Sequence, residues 1–263
     1  MPHYHGKNLT SYDLVKTLAI ILTVIDHIGY YFYPDTEIFR IIGRACVPIW
    51  CFLIGYATTR QISKDIIFWA VVLFASNFVF GGQVLPLGML FTIMLVRLVL
   101  DRAARVMLQG WEPLLYSSVI LSILIIPTMP LFEYGTSVLL LALCGVMVRH
   151  QKDIPIGVYG QRFFILSMVT IFTLIQIMLF QFSAQGARLC GMLVGGTSLM
   201  MVLFRPVELE TAKNRFLAFL VLPLQFMGRY TLEIYAVHLL IFKAVAAYYG
   251  YQHHGFFAWD WIR

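Results

Sequence analysis

The stretch ILTVIDHIGYYFY, residues 21–33, sets Asp26 and His27 side by side inside an otherwise apolar run. An imidazole that titrates near neutrality can take up and return a proton, and a neighbouring carboxylate is suited to orienting it. The pair therefore fits general-base catalysis or a histidine that carries a group covalently. Lys16 lies eleven residues before His27, a spacing that leaves only ~20° of helical rotation between them and about 16 Å of rise. One helix face then carries a cation at one end and an imidazole deep within. Arg44, in FRIIGRACVPIW, falls at a depth similar to that of Asp26 if the short PDTE connection joins two antiparallel helices. Glu233, Tyr235 and His238 are the polar groups of a late apolar segment, GRYTLEIYAVHLLIF, where Arg229–Glu233 is spaced i,i+4 and Tyr235–His238 i,i+3.

Each of these groups also has a structural reading. Asp26 and Arg44 can neutralise one another and pin a hairpin, and His27 can serve as a hydrogen-bonding group between helices. Ionisable side chains deep in a membrane helix cost roughly 2.5–3.5 kcal/mol each on insertion scales, so they are expected to face a partner or a cavity. For His27 acid–base chemistry leads. Tyr235 and His238 are candidates for lining the cavity, and Arg229–Glu233 is read as structural or interfacial. His3, His5, His253 and His254 lack carboxylate or cysteine partners at ligand spacing, so no metal site is expected.

The elements that must position these groups follow from composition. Of the 263 residues 60% are hydrophobic and 12% charged, against roughly 45–50% apolar in soluble domains. This is the profile of an all-α, polytopic integral-membrane bundle. Apolar runs fall at 14–34, 38–58, 65–80, 84–101, 114–132, 134–149, 162–182, 187–204 and 230–249, giving about nine transmembrane helices. The run 216–227 is short and contains Pro223; it is read as interfacial or re-entrant, and becomes a tenth span otherwise. Of the 19 Lys and Arg, all but Arg40, Arg44, Arg188, Lys243 and Arg263 collect on the N-terminal side of the nine-span arrangement, which places the N-terminus in the cytoplasm and the C-terminus outside. The same bias accounts for the net charge of +6 without nucleic acid.

The first run has no small-residue cleavage site and is expected to be retained. Cys46, Cys51, Cys144 and Cys190 show no CxxC spacing and behave as small apolar residues. Gly191 and Gly195 are spaced for close helix approach, and Pro48, Pro86 and Pro127 mark kinks. With no linker or low-complexity tract, residues 1–263 are read as one domain.

The opening segment, SYDLVKTLAIILTVIDHIGYYFYP followed by FRIIGRACVPIWCFLIGYATTR, resembles the start of the TraX family, and GRYTLEIYAVHLLIF resembles its closing segment and that of the wider acyltransferase-three-like membrane proteins. LPLGMLFTIMLVRLVL is similar more loosely to the fourth-helix region, and residues 105–215 carry no matching motif. The resemblance implies a multi-pass protein of the bacterial inner membrane that moves an acyl group, usually acetyl, from cytoplasmic acyl-CoA to an envelope acceptor. That acceptor is a pilin N-terminal amine in TraX itself and mostly a glycan hydroxyl in the wider group. The first-helix pattern of a basic residue, ten others and histidine matches Lys16 and His27, with Lys where Arg is commoner, a change that keeps point-charge attraction for phosphate but not the bidentate fork. On this basis His27 and Asp26 are the expected catalytic residues, Lys16 and Arg44 the acyl-CoA-binding ones, and acetyl-CoA or another acyl-CoA the co-substrate, with membrane lipid around the chain. Arg44 either stabilises an oxyanion or holds Asp26. The alternative is a transporter or flippase that uses the same His, Asp and Arg as a proton relay or anion site.

Overall fold

The computed structural model describes residues 8–209, 215–251 and 254–262, with the side chains of 215–218 excepted. His3, His5, Lys7, His253, Lys213 and Arg263 lie outside the described residues. The chain is helical almost throughout. Its helices are α1 (Ser11–Phe32), α2 (Glu37–Arg44), α3 (Cys46–Tyr56), α4 (Lys64–Phe80), α5 (Met89–Met107), α6 (Trp111–Ile123), α7 (Ile125–Thr128), α8 (Ser137–Arg149), α9 (Val158–Phe180), α10 (Ala184–Val202), α11 (Arg215–Arg229) and α12 (Thr231–Tyr249). Two short strands, β1 (Leu9–Thr10) and β2 (Glu208–Leu209), pair antiparallel and tie the start of α1 to the segment after α10.

Among the described residues four stretches are long and apolar enough to cross a membrane by length and composition: Ser11–Phe32, Glu37–Tyr56, Val158–Phe180 and Thr231–Tyr249. The outward surface agrees with this. Phe68, Val71, Tyr116, Ile120, Ile123, Phe163, Leu166 and Met178 are exposed on α4, α6 and α9, where lipid rather than water suits them.

Local chemistry sets the ends. Thr10 and Asp13 form a capping box that starts α1, Thr10 Oγ1 accepting the Asp13 amide at 3.2 Å and Asp13 Oδ2 accepting the Thr10 amide at 3.0 Å. Ser63 and Ser183 cap α4 and α10 more simply, each hydroxyl accepting one amide, that of Ile66 or of Gly186. Gly81 and Gly250 end α4 and α12 in the left-handed region, at φ 75° and 69°. The run 38–58 is one apolar stretch in sequence but two helices in space. Pro48 has no amide for the Arg44 carbonyl, and the chain breaks at Ala45 one turn earlier. The run 114–132 likewise breaks at Leu124 and turns back after Thr128.

The centre of the bundle is the pair α3 and α8. Nearly every residue of each is buried, and they touch through Gly55 and Gly145: a Cβ on Gly55 would overlap the Ala142 carbonyl, and one on Gly145 the Phe52 carbonyl. Gly191 and Gly195, by contrast, face open space, so among the described residues the small-residue spacing read from α10 brings no helix close. Arg60 closes the C-terminal end of α3, donating to the carbonyls of Ile54, Gly55 and Ala57 and pairing with Asp101 at 3.1 Å. The residues after α12 return to the loop behind α4, where the Val84 and Leu85 amides donate to the Asp260 and Trp261 carbonyls.

Candidate functional site

Antiparallel packing of α1 against α2 brings Asp26 and Arg44 together. Arg44 Nη2 donates to Asp26 Oδ2 in a short ion pair, and Arg40 Nη1 reaches the same oxygen at 2.8 Å. Gly43 permits the approach, because a Cβ there would overlap the Asp26 side chain. Arg44 Nη1 further donates to Tyr134 Oη at 3.0 Å and to Gln176 Oε1 at 3.3 Å, while Arg40 lies over the rings of Tyr30 and Phe180. Asp26 and Arg44 are both almost wholly buried, 4% and 2% exposed. Two guanidiniums on one carboxylate leave a net positive charge fixed in an apolar interior.

Asp26 does not hold His27. Consecutive helical residues point about 100° apart, so the two side chains diverge and the carboxylate goes to the arginines. The partner of His27 is His238 on α12, with Nδ1 of His27 and Nε2 of His238 2.7 Å apart and the rings stacked at 5.0 Å. His238 Nδ1 lies 2.7 Å from the Ile234 carbonyl. A carbonyl only accepts, so Nδ1 of His238 carries hydrogen and Nε2 of that neutral ring accepts. His27 must then donate from Nδ1, which leaves its Nε2 unprotonated. The chain carbonyl–His238–His27 thus fixes a basic nitrogen on the edge of His27 that His238 does not cover. Tyr235 sits beside both rings, at 6.1 and 5.8 Å.

His27, Asp26, Arg40, Arg44 and Tyr235 all line a cavity of about 270 Å³. It lies between the C-terminal half of α1, the ends of α4 and α5, α12 and the loop after α7. His238 stands behind His27 and is not part of the wall. Lys16 is not part of it either: it is half-buried near the start of α1, with Arg97 of α5 within electrostatic reach. Ile20 and Thr23, on the stripe between Lys16 and His27, are buried, so side-chain packing fills the direct path between cation and imidazole.

Several wall residues were not legible as site residues in the sequence. Arg40 stands four before Arg44, a spacing that puts both on one helix face and was the available signal. Glu133 and Tyr134 come from the loop after α7, where Tyr134 takes a left-handed φ of 64° that a bulky side chain rarely adopts and that brings its hydroxyl to Arg44. Burial raises the Glu133 carboxyl above the ordinary carboxylate range, opposed in part by the Met89 amide and the nearby guanidiniums. Lys243 of α12 donates to the Leu73 carbonyl, Ser76 Oγ and Asn77 Oδ1 at 3.1, 2.8 and 2.5 Å. The Arg229–Glu233 pairing expected from i,i+4 spacing fails for a local reason: the helix breaks at Tyr230, between α11 and α12. Arg229 approaches Asp13 instead, at 4.0 Å. Among the described residues no group of three or more His, Cys, Asp or Glu is placed to hold a metal ion.

Fold and site together define a helical membrane protein in which His27, backed by His238, and an Arg–Asp–Arg cluster line one cavity. The chain belongs to the TraX family, whose description, TraX protein, matches residues 11–246. It is also similar to the uncharacterized protein RP591 of Rickettsia prowazekii, 32% identical over 148 residues. That match covers 56% of this chain and 60% of the relative. No solved structure matches it.

Proposed function

We propose that the protein is an acyltransferase of the inner membrane, with N-terminus in the cytoplasm and about nine spans, moving an acetyl or other acyl group from acyl-CoA to an envelope acceptor. The observation that carries the reading is His27, tied through Nδ1 to His238 and lining a cavity beside a fixed positive cluster. His27 Nε2 takes the proton of the acceptor hydroxyl or amine as that atom attacks the thioester carbon. Negative charge develops on the thioester oxygen, where the Arg40–Asp26–Arg44 cluster favours it. Collapse breaks the carbon–sulfur bond, and the proton held by His27 passes to the CoA thiolate. The acyl group leaves on the acceptor. His238 holds the tautomer and shares the charge that His27 gains.

Lys16 and Arg97 offer two neighbouring cations for the CoA phosphates at the cytoplasmic end of α1. Because Ile20 and Thr23 are buried between Lys16 and His27, the acyl arm reaches the imidazole only when packing along α1 opens. The test is release of CoA thiol from acetyl-CoA by purified protein supplied with a cell-envelope extract as the source of acceptor. His27→Ala should abolish release while retaining acetyl-CoA binding; Lys16→Ala should weaken binding, Lys16→Arg should largely preserve it, and raised salt should mimic the loss in part. Equal acetyl-CoA affinity in all forms removes Lys16 from the site, and equal thiol release by wild type and His27→Ala overturns the mechanism.

A further inference from the structure

The cavity has an arm that the acyl-transfer groups do not use. A smaller space of about 80 Å³ shares Tyr30, Tyr31, Asn77, Gln83 and Lys243 with the main cavity and continues to Gly81, Gly82 and His254. The Lys243 side chain stands at the junction and is buried, 8% exposed. All three oxygens around its ammonium are neutral, and among the described residues no carboxylate lies within ion-pair distance of it. A buried cation in a membrane protein is costly unless something balances it.

The rest of the wall supplies that balance only in part. Asp26 is taken up by two guanidiniums, so the charged side chains of the cavity are three cations, Arg40, Arg44 and Lys243, against Asp26 and Glu133. Glu133 lies within electrostatic reach of Lys243 and offsets it in part, and the wall as a whole keeps one positive charge in excess. Such a wall repels an ammonium and attracts an anion. Two of the three acceptors of Lys243 are fixed in α4, the Leu73 carbonyl and Ser76 Oγ. The third, Asn77 Oδ1, belongs to a cavity-lining amide side chain whose Nδ2 donates to the Gln83 carbonyl at 2.7 Å, so an anion on Lys243 takes the place of a side-chain amide rather than of a backbone group. Tyr30, Tyr31 and the Asn77 and Gln83 amides complete an arm suited to a polar ring.

We propose that the Lys243 arm is the acceptor subsite and that it takes a hydroxyl compound bearing an anionic group, an acidic sugar unit, whose carboxylate or phosphate sits on Lys243 while a hydroxyl faces His27. The inference rests on the acyltransferase reading for the name "acceptor", but the anion site itself does not. At about 270 Å³ plus the arm, the space is near the lower end of ligand pockets, roughly 300–1,000 Å³. It suits one sugar unit rather than a folded polypeptide.

Binding is measured without acyl-CoA, by calorimetry on the purified full chain in detergent. The probes are methyl glucuronide, glucose 6-phosphate and uncharged methyl glucoside. At least one acidic probe should bind tighter than the neutral one by at least about tenfold, and whichever is preferred tells a carboxylate from a phosphate source. Lys243→Gln should bring the acidic probe down to the neutral level, and Lys243→Arg should keep the preference. Asn77→Asp, which places a carboxylate beside the ammonium, should erase the preference without removing the lysine, and so covers the case in which Lys243→Gln does not fold. Equal binding of acidic and neutral probes by wild type, binding of no acidic probe, or a preference that survives Asn77→Asp overturns the anion site. Acidic preference in a protein that turns over no acetyl-CoA overturns the acyltransferase reading and leaves the anion site standing.

Discussion

His27 and His238 carry opposite halves of one hydrogen-bonded unit, and only the exposed half is basic. With His238 Nδ1 committed to the Ile234 carbonyl, His238 is a positioning residue whose removal frees the tautomer of His27. His238→Ala is expected to lower kcat by about tenfold to a hundredfold with little change in KM for acetyl-CoA. His238→Gln, whose amide oxygen still accepts from His27 Nδ1, is expected to restore most of the rate. Nitrogen-15 spectra of histidine-labelled protein should show His27 protonated at Nδ1 in wild type; Nε2 protonation would contradict the arrangement. Asp26 acts differently. Asp26→Asn leaves two buried guanidiniums without a counter-charge, and is expected to cost about 3–5 kcal/mol of stability, read by chemical denaturation. His27, Asp26 and Arg44 were legible because charged residues stand out against an apolar helix. The His27–His238 contact was not, because it joins α1 to α12 across the chain and no local spacing encodes which distant helix will supply the partner.

Helix contacts separate glycines that matter from glycines that only look as though they should. Gly145→Ala forces a methyl group into the Phe52 carbonyl at the α3–α8 crossing and is expected to destabilise by about 1–3 kcal/mol. Gly191→Ala meets nothing within 4 Å and is expected to be neutral, or to stabilise by the roughly 0.5–1 kcal/mol that alanine gains over glycine in a helix. Thermal melts of the two variants in the same detergent check both, and equal melting temperatures would show that the crossing is looser than described. Every apolar run read from the sequence contains a helix, since burial and length decide that much. The breaks at Ala45 and Leu124 were less legible: proline marks that a helix will bend, but the surrounding packing decides whether it kinks or ends. Tyr230 has no such mark, and the i,i+4 reading of Arg229 and Glu233 failed there.

At the scale of the molecule, one internal cavity lies at the end of α1 remote from Lys16, between the C-terminal half of α1, α12 and the loops after α4 and α7. In the proposed orientation that end faces outside, so a reporter fused after Arg263 is expected to report the external side; a cytoplasmic signal would contradict the nine-span arrangement and the placement of α12 in it. The cavity was not legible in the sequence, because Glu133, Tyr134 and Lys243 reach it from loops and helices whose sequence shows no shared motif. The most direct test of the central claim is transfer of radiolabel from acetyl-CoA into envelope material by membranes carrying wild type, His27→Ala or His27→Asn. If His27 is the base, label enters only with wild type, falling at least about a hundredfold in both variants although asparagine restores a hydrogen bond. Equal labelling by all three would contradict the account.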